Sequence, residues 1–254
     1  MELKVIGSSP DSPRTRQYGS SYTINGTVAL DAGSIGFCGS PQEQSVIRHL
    51  FITHSHLDHI ASLPTLLDNL YDPSTEALTL YASAETMQVL REQIFNNKVW
   101  PDFIGMKPSG RPFVNTSLVL PGQVIEVEGL RILPVPVNHI VPTLGYIVSD
   151  GHSTIVYGAD SGPTDQIWEL AASFPEPRTI LVEASFSDKM RSLAEVSGHL
   201  TPSMVLEETK KMPKSERILI IHVKPRFREE IEAELAALNI DGLSIAICNG
   251  RYSA

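Results

Sequence analysis

Apolar and polar positions follow a short period through the first part of the chain and a longer, mixed one afterwards. "LKVIGSS" (3–9), "SYTING" (21–26) and "TVALDAG" (27–33) read as strands, with Asn25-Gly26 as a hairpin signal between the last two. "HLFIT" (49–53) is a short apolar strand, and "IASLPTLLDNLY" (60–71) has the apolar stripe of a helix that Pro64 shortens or kinks. "LTLYA" (78–82) predicts a strand, and "SAETMQVLREQIFNN" (83–97) a helix capped by Ser83. From 96 to 128 proline, glycine and aromatic residues recur without a period, which predicts an irregular excursion. Strands are expected again near 130–138, 144–149 and 153–158, followed by alternating elements. These are a helix in "PTDQIWELAAS", a strand in "RTILVEA", a helix in "TPSMVLEETKKM", a strand in "RILIIHV", a helix in "PRFREEIEAELAAL" and a strand in "LSIAIC". Thr201 and Pro202 supply the cap and first-turn proline of the helix they open. Two halves, each ending with strands and helices, suit an α/β architecture of two sheets with helices outside, in four layers, with a doubly wound sheet as the alternative that composition alone leaves open.

With 254 residues the chain has room for one large domain, and a single domain over 1–254 is the expectation. No apolar run approaches the roughly 18 residues of a membrane span, and the first residues read as a strand rather than a leader. A cytoplasmic location is expected, with Cys38 and Cys248 reduced because they form no ligand or framework pattern. Lysine and arginine number 20 against 29 acidic residues, a net charge of −9 that disfavours nucleic acid and favours a small substrate.

The chemistry concentrates in "THSHLDHI" (53–60), which holds three of the eight histidines. Neutral imidazole and carboxylate are ligands for zinc, and less selectively for manganese or iron. His54 and His56, two apart on a segment leaving a strand, point to the same side. Asp58 and His59 follow where the chain turns into a helix and can address a second ion. Two adjacent divalent ions hold a hydroxide between them and clamp a phosphoryl or carbonyl centre.

This motif resembles the metallo-β-lactamase superfamily, whose further ligand positions are matched in order by His139 in "VNHIVPTLGY", Asp160 in "VYGADSG" and His222 in "LIIHVKP". The resemblance implies a four-layer αββα sandwich with a dinuclear site between the sheets. His54, His56 and His139 would hold one ion, Asp58, His59 and His222 the other, and Asp160 would bridge them. Two divalent ions are therefore the expected cofactor, zinc first, with manganese, iron and magnesium as alternatives.

"HSHLDHIASLP", "FNNKVWPDF", "VNHIVPTLGY", "LVEASFSD", "SGHLTP" and "HVKPRFREEIEAEL" are together similar to class II cyclic-nucleotide phosphodiesterases. That family implies hydrolysis of 3',5'-cyclic AMP, and often cyclic GMP, to the 5'-monophosphate by attack of the metal-bridged hydroxide; it also suggests a homodimer. Asp58 would orient the attacking group or take its proton, and His199 would protonate the departing 3'-oxygen. A loop histidine that only precedes the helix is the alternative for His199. Asn96, Asn97, Trp100 and Phe103 are candidates for a wall of the base pocket, with core packing as the alternative for the two aromatics. Lys224 is a candidate phosphate contact. The tRNA 3'-processing endonuclease branch is the second reading. Against it stand the charge and Tyr157, which occupies the place where that branch is expected to carry an acid supporting the histidine. A metal-binding module without hydrolysis is the third.

Overall fold

A computed structural model describes residues 1–8, 17–72, 74 and 77–254, so the end of the first predicted strand, at residue 9, lies outside the described residues. The chain divides into two compact units, one formed by Glu2–Leu120 with Cys248–Tyr252, the other by Pro121–Ile247 with Met1 and Ser253–Ala254. Among the described residues no helix is long and apolar enough to cross a membrane.

The first unit carries strands β1 (Glu2–Val5), β2 (Tyr22–Ile24), β3 (Val28–Leu30), β4 (His49–Phe51), β5 (Thr79–Ala82) and β6 (Asn115–Leu118), side by side in that order, with Arg251 and Tyr252 of a last short strand next to β1. Asn25 and Gly26 adopt the positive φ angles, 51° and 77°, that let β2 turn back into β3. From β3 onward the strands run parallel, with Leu30 opposite Phe51 and Phe51 opposite Tyr81. Parallel neighbours end at one edge, so the residues following β3 and β4 emerge together. Ala29, Leu50, Ile52, Leu80 and Ala82 pack against Leu63, Leu66, Leu67, Met87 and Leu90 of the crossover helices. The stripe read as one helix is two, Leu57–Ile60 and Leu63–Leu70. Pro64 sits in the first turn of the second, where its missing N–H breaks no helical hydrogen bond, so the proline opens a new helix instead of kinking one long one.

Ser83 caps the helix Ala84–Val89 by accepting from the Thr86 N–H at 3.1 Å, as expected. The helix then widens into a π turn over Leu90–Ile94. The excursion is shorter than 96–128, because β6 and the first strand of the second unit lie inside that range. Both are half-exposed edge strands: β6 is polar at three of its four positions, and β7, Ile-Glu-Val, is only three residues long, so neither offers an apolar run to read.

Within the excursion Phe103 is 5% exposed, stacks on Phe113 at 3.9 Å between centroids and meets Trp100 edge-on at 6.4 Å. This corrects the expectation of Phe103 as a pocket wall: a side chain so enclosed by aromatics is core. Trp100, half-buried, packs on the same cluster. The Asn96 Oδ1 accepts from the Lys98 and Val99 N–H groups, and the Asn97 Oδ1 from the Asp102 N–H, so both amides shape the turn. Phe103→Ala should destabilise the chain by about 3–5 kcal/mol in denaturant unfolding, without a selective rise in KM for any substrate.

In the second unit, β7 (Ile125–Val127), β8 (Leu130–Val137), β9 (Thr143–Ser149), β10 (Thr154–Tyr157), β11 (Arg178–Glu183), β12 (Arg217–Ile221) and β13 (Leu243–Ile245) lie in chain order. β7 to β10 form an antiparallel meander and β10 to β13 run parallel. Tyr157 lies opposite both Leu181 and Tyr146, Glu183 opposite Ile221, and Val137 opposite Thr143. The β8–β9 loop and the ends of β10, β11 and β12 therefore share one edge. β9, β10 and β11 are buried at every position, which explains their near-continuous apolar sequences. Ile147, Val156, Ile180, Val182 and Ile220 pack on Trp168, Met204, Val205 and Ile231 from the helices Gln166–Ala171, Pro202–Thr209 and Arg228–Ala237.

Candidate metal centre

In the first unit, Asp31 leaves β3 with a φ of 58° and is fully buried. Its Oδ1 accepts from the Thr53 N–H at 2.8 Å and the Thr53 hydroxyl at 3.0 Å, and its Oδ2 from the His59 Nδ1–H at 2.8 Å. The Thr53 oxygen in turn accepts from the His54 Nδ1–H at 2.9 Å. One carboxylate thus aims two imidazoles, one directly and one through a hydroxyl. The backbone around the motif is clamped as well: the Ala32 N–H donates to the His59 carbonyl and the Ser20 N–H to the Asp58 carbonyl, both at 2.7 Å. A Cβ on Gly33 would lie 1.9 Å from the Asp58 carbonyl oxygen, so only glycine permits this approach.

In the second unit, Asp160 follows β10 and Ala159, whose φ is 52°; His222 follows β12 with a φ of 53°. Non-glycine residues in this region concentrate at functional sites, where surrounding contacts impose the conformation. The His139 Nδ1–H donates to the Gly198 carbonyl at 2.8 Å. Gly198 ends the helix Arg191–Ser197 with a φ of 67°, and a Cβ there would lie 2.9 Å from that same ring nitrogen. The His222 Nδ1–H donates to the Ser185 oxygen at 2.7 Å, and the Ser185 hydroxyl donates to the Glu183 Oε2 at 2.6 Å. The His199 Nδ1–H donates to the Glu183 Oε1 at 2.7 Å. The Ser161 and Leu200 N–H groups, at 2.9 and 3.3 Å, complete the surroundings of this buried carboxylate. His199 stacks on His222 with centroids 5.5 Å apart and meets His139 edge-on at 5.0 Å. Lys224 places its ammonium 4.9 Å from the centre of the Phe186 ring, which contacts His199. Burial holds the His139 pKa below the ordinary histidine value, against the opposing pull of the Gly198 carbonyl and Asp160.

These residues fit divalent ions. In His54, His59, His139 and His222 the Nδ1 is committed to an oxygen acceptor, which leaves Nε2 to present the coordinating electron pair. Within the first unit His54 and His56 bring ligand atoms within 4.8 Å of each other, as do Asp58 and His59. Within the second, Asp160 stands at that range from both His139 and His222, with its Oδ2 3.4 Å from the His222 Nε2. A nitrogen-rich set with carboxylates suits zinc-like ions.

Sequence reasoning missed Asp31, Thr53, Glu183 and Ser185. The available signal was an acid at the carboxyl end of an apolar strand, in "VALD" and "ILVE". In this chain the acid that supports His199 comes from β11, as Glu183, rather than from β10, where Tyr157 stands.

Residues 36–223 match the family model described as a beta-lactamase superfamily domain. A probable 3',5'-cyclic-nucleotide phosphodiesterase of Yersinia pestis is 28% identical over 207 residues, covering 72% of this chain and 59% of that protein. A 3',5'-cyclic-nucleotide phosphodiesterase of Aliivibrio fischeri is 26% identical, covering 64% of this chain and 52% of that protein. The chain thus spans little more than half the length of these relatives. A ribonuclease Z of Methanococcus maripaludis is 32% identical over 104 residues, covering 40% of this chain and 31% of that protein. Among solved structures, unliganded yeast PDE1 superposes with a TM-score of 0.78 over 98% of both chains at 18% identity. The metallo-beta-lactamase fold protein YhfI from Bacillus subtilis gives 0.75, covering 99% of this chain and 98% of that one at 17% identity. The αββα expectation is the fold these structures share with it. With most of its length matched by the family model, the chain belongs to the beta-lactamase superfamily.

Proposed function

We propose that the chain is a metal-dependent phosphodiesterase that opens 3',5'-cyclic nucleotides to 5'-monophosphates. The proposal carries over the ligand assignment of the resemblance: His54, His56 and His139 for one ion, Asp58, His59 and His222 for the other, Asp160 shared. Bound there, two divalent ions would polarise the phosphoryl oxygens and make water nucleophilic at neutral pH. Asp58 orients the attacking water and takes its proton as the new P–O bond forms. His199 gives a proton to the 3'-oxygen as the P–O3' bond breaks. Lys224, partly exposed beside Phe186 and His222, offers its charge to the phosphate.

The observation that carries the reading is the Glu183–His199 pair, held at 2.7 Å beside the rings of His139 and His222. A histidine with Nδ1 bound to a buried carboxylate has its other nitrogen for proton exchange, and an alkoxide leaving group needs such a donor. The same pair would serve the cleavage of an RNA phosphodiester, and the similarity to ribonuclease Z favours that as a second reading. The net charge of −9 weighs against it.

The purified chain should hold close to two divalent ions by elemental analysis. Offered cyclic AMP, bis(p-nitrophenyl) phosphate and a precursor tRNA, it should release 5'-AMP from the first. Cleavage of the tRNA with cyclic AMP untouched would transfer the proposal to the second reading; two bound ions with no hydrolysis would leave a metal-binding module.

A further inference from the structure

The loop Asp160–Asp165 carries a proposed shared ligand, yet it contains no regular structure of its own between β10 and the helix Gln166–Ala171. Its course is set by anchors outside it. The Ser161 N–H donates to Glu183 at 2.9 Å, and the Gly162 N–H to the Asn138 carbonyl at 2.7 Å. The Asn138 amide donates back to the Pro163 carbonyl at 3.2 Å. These bonds tie the start of the loop to Glu183 and to the residue preceding His139.

The far end is held by Glu208, which is 1% exposed and lies in the last turn of the helix Pro202–Thr209. Its Oε2 accepts from the Thr164 N–H at 3.2 Å and from the Trp168 indole N–H at 2.8 Å. Its Oε1 pairs with the Lys211 ammonium at 2.7 Å, and Lys211 also donates to the Thr164 carbonyl at 3.0 Å and pairs with Asp165 at 2.9 Å. Both backbone polar groups of Thr164 are thereby fixed by one ion pair whose carboxylate is buried and whose ammonium is partly exposed. Burying the Glu208 carboxylate costs free energy that the buried Thr164 N–H, the Trp168 indole and the Lys211 ammonium offset together, so the end of the loop is tied to the same cluster that satisfies the acid.

We infer that Glu208 is a positioning residue for the metal centre, setting Asp160 through the Thr164 end of its loop. The inference rests on the assignment of Asp160 as a ligand, and not on the identity of the substrate. The simpler role, that Glu208 only satisfies the buried Trp168 indole, predicts different behaviour and can be separated by mutation.

Zinc binding to the metal-free chain would be measured by competition with a chromophoric chelator for the wild type, Glu208→Ala, Glu208→Gln and Trp168→Phe, beside thermal unfolding of each. Glu208→Ala should weaken zinc binding by about tenfold, the low end for outer-shell groups. Glu208→Gln, which keeps an oxygen for one donor, should recover part of that loss. Trp168→Phe, which removes the indole donor and leaves Glu208 on Thr164, should lower the melting temperature with zinc affinity near wild type. Unchanged affinity in Glu208→Ala, or in Glu208→Gln should the alanine variant not fold, overturns the inference. So does an equal loss of affinity in Trp168→Phe. A wild type that binds no zinc is a different result: it removes the metal-centre assignment and this inference with it.

Discussion

Replacing His199 with alanine should lower turnover of cyclic AMP by about 10²–10⁴-fold, the usual worth of general acid catalysis, while hydrolysis of bis(p-nitrophenyl) phosphate falls far less. The difference follows from the leaving groups. A ribose 3'-oxygen departs as an alkoxide unless it receives a proton in the transition state, whereas p-nitrophenolate is stable without one. The measurement is steady-state kcat on both substrates, with metal content of the variant determined alongside. If both rates stay near wild type, His199 is only the loop residue before the helix Pro202–Thr209. If both fall together with metal content, it supports the fold or a neighbouring ligand. The second outcome has a structural basis, since His199 lies between Phe186, His139 and His222 and is 7% exposed. Unequal loss with metal retained is what the acid role requires.

The central strands of the second unit were legible because they are buried at nearly every position and so read as apolar runs. The β8, β9, β10, β11 and β12 expectations all land on observed strands. The candidate ligands were legible for a related reason: His139, Asp160 and His222 sit just past such runs, where parallel strands end at one edge. What could not be read was whatever depends on a partner distant in sequence. Asp31 meets His59 across 28 positions and Glu183 meets His199 across 16, and nothing in the local pattern of either acid names its histidine. The aromatic excursion failed for the opposite reason. Phe103 and Trp100 lack a period, which is equally true of a pocket wall and of a small irregular core, and only the stacking on Phe113 decides for the core at Phe103. The half-exposed edge strands disappeared into that excursion, β6 because it is mostly polar and β7 because its two apolar residues flank a glutamate in a three-residue strand.

Glu183 should prove harder to replace than His199, because it serves two histidines at once. Its carboxylate accepts from the His199 ring, the Ser185 hydroxyl and the Ser161 and Leu200 N–H groups, all inside a fully buried site. Glu183→Ala strands these donors at about 1–3 kcal/mol for each one left without an acceptor, so loss of the folded chain is the expected result, visible in denaturant unfolding. Glu183→Gln keeps the shape and one oxygen, and it is the variant that reports on chemistry. An amide cannot balance the charge that the His199 ring carries while it holds the proton to be given, so cyclic AMP turnover should fall by about 10²–10⁴-fold. Through Ser185 the same change loosens His222, and metal affinity should drop by about 10–100-fold, as for other groups that orient a ligand. The two effects separate in the double variant. With His199 already alanine, Glu183→Gln should cost little further in turnover at saturating metal, because the proton donor is gone, yet metal affinity should still fall through Ser185 and His222. Independent, fully additive losses in turnover would mean that Glu183 and His199 do not act as a pair, and the proposed proton donor would lose its support.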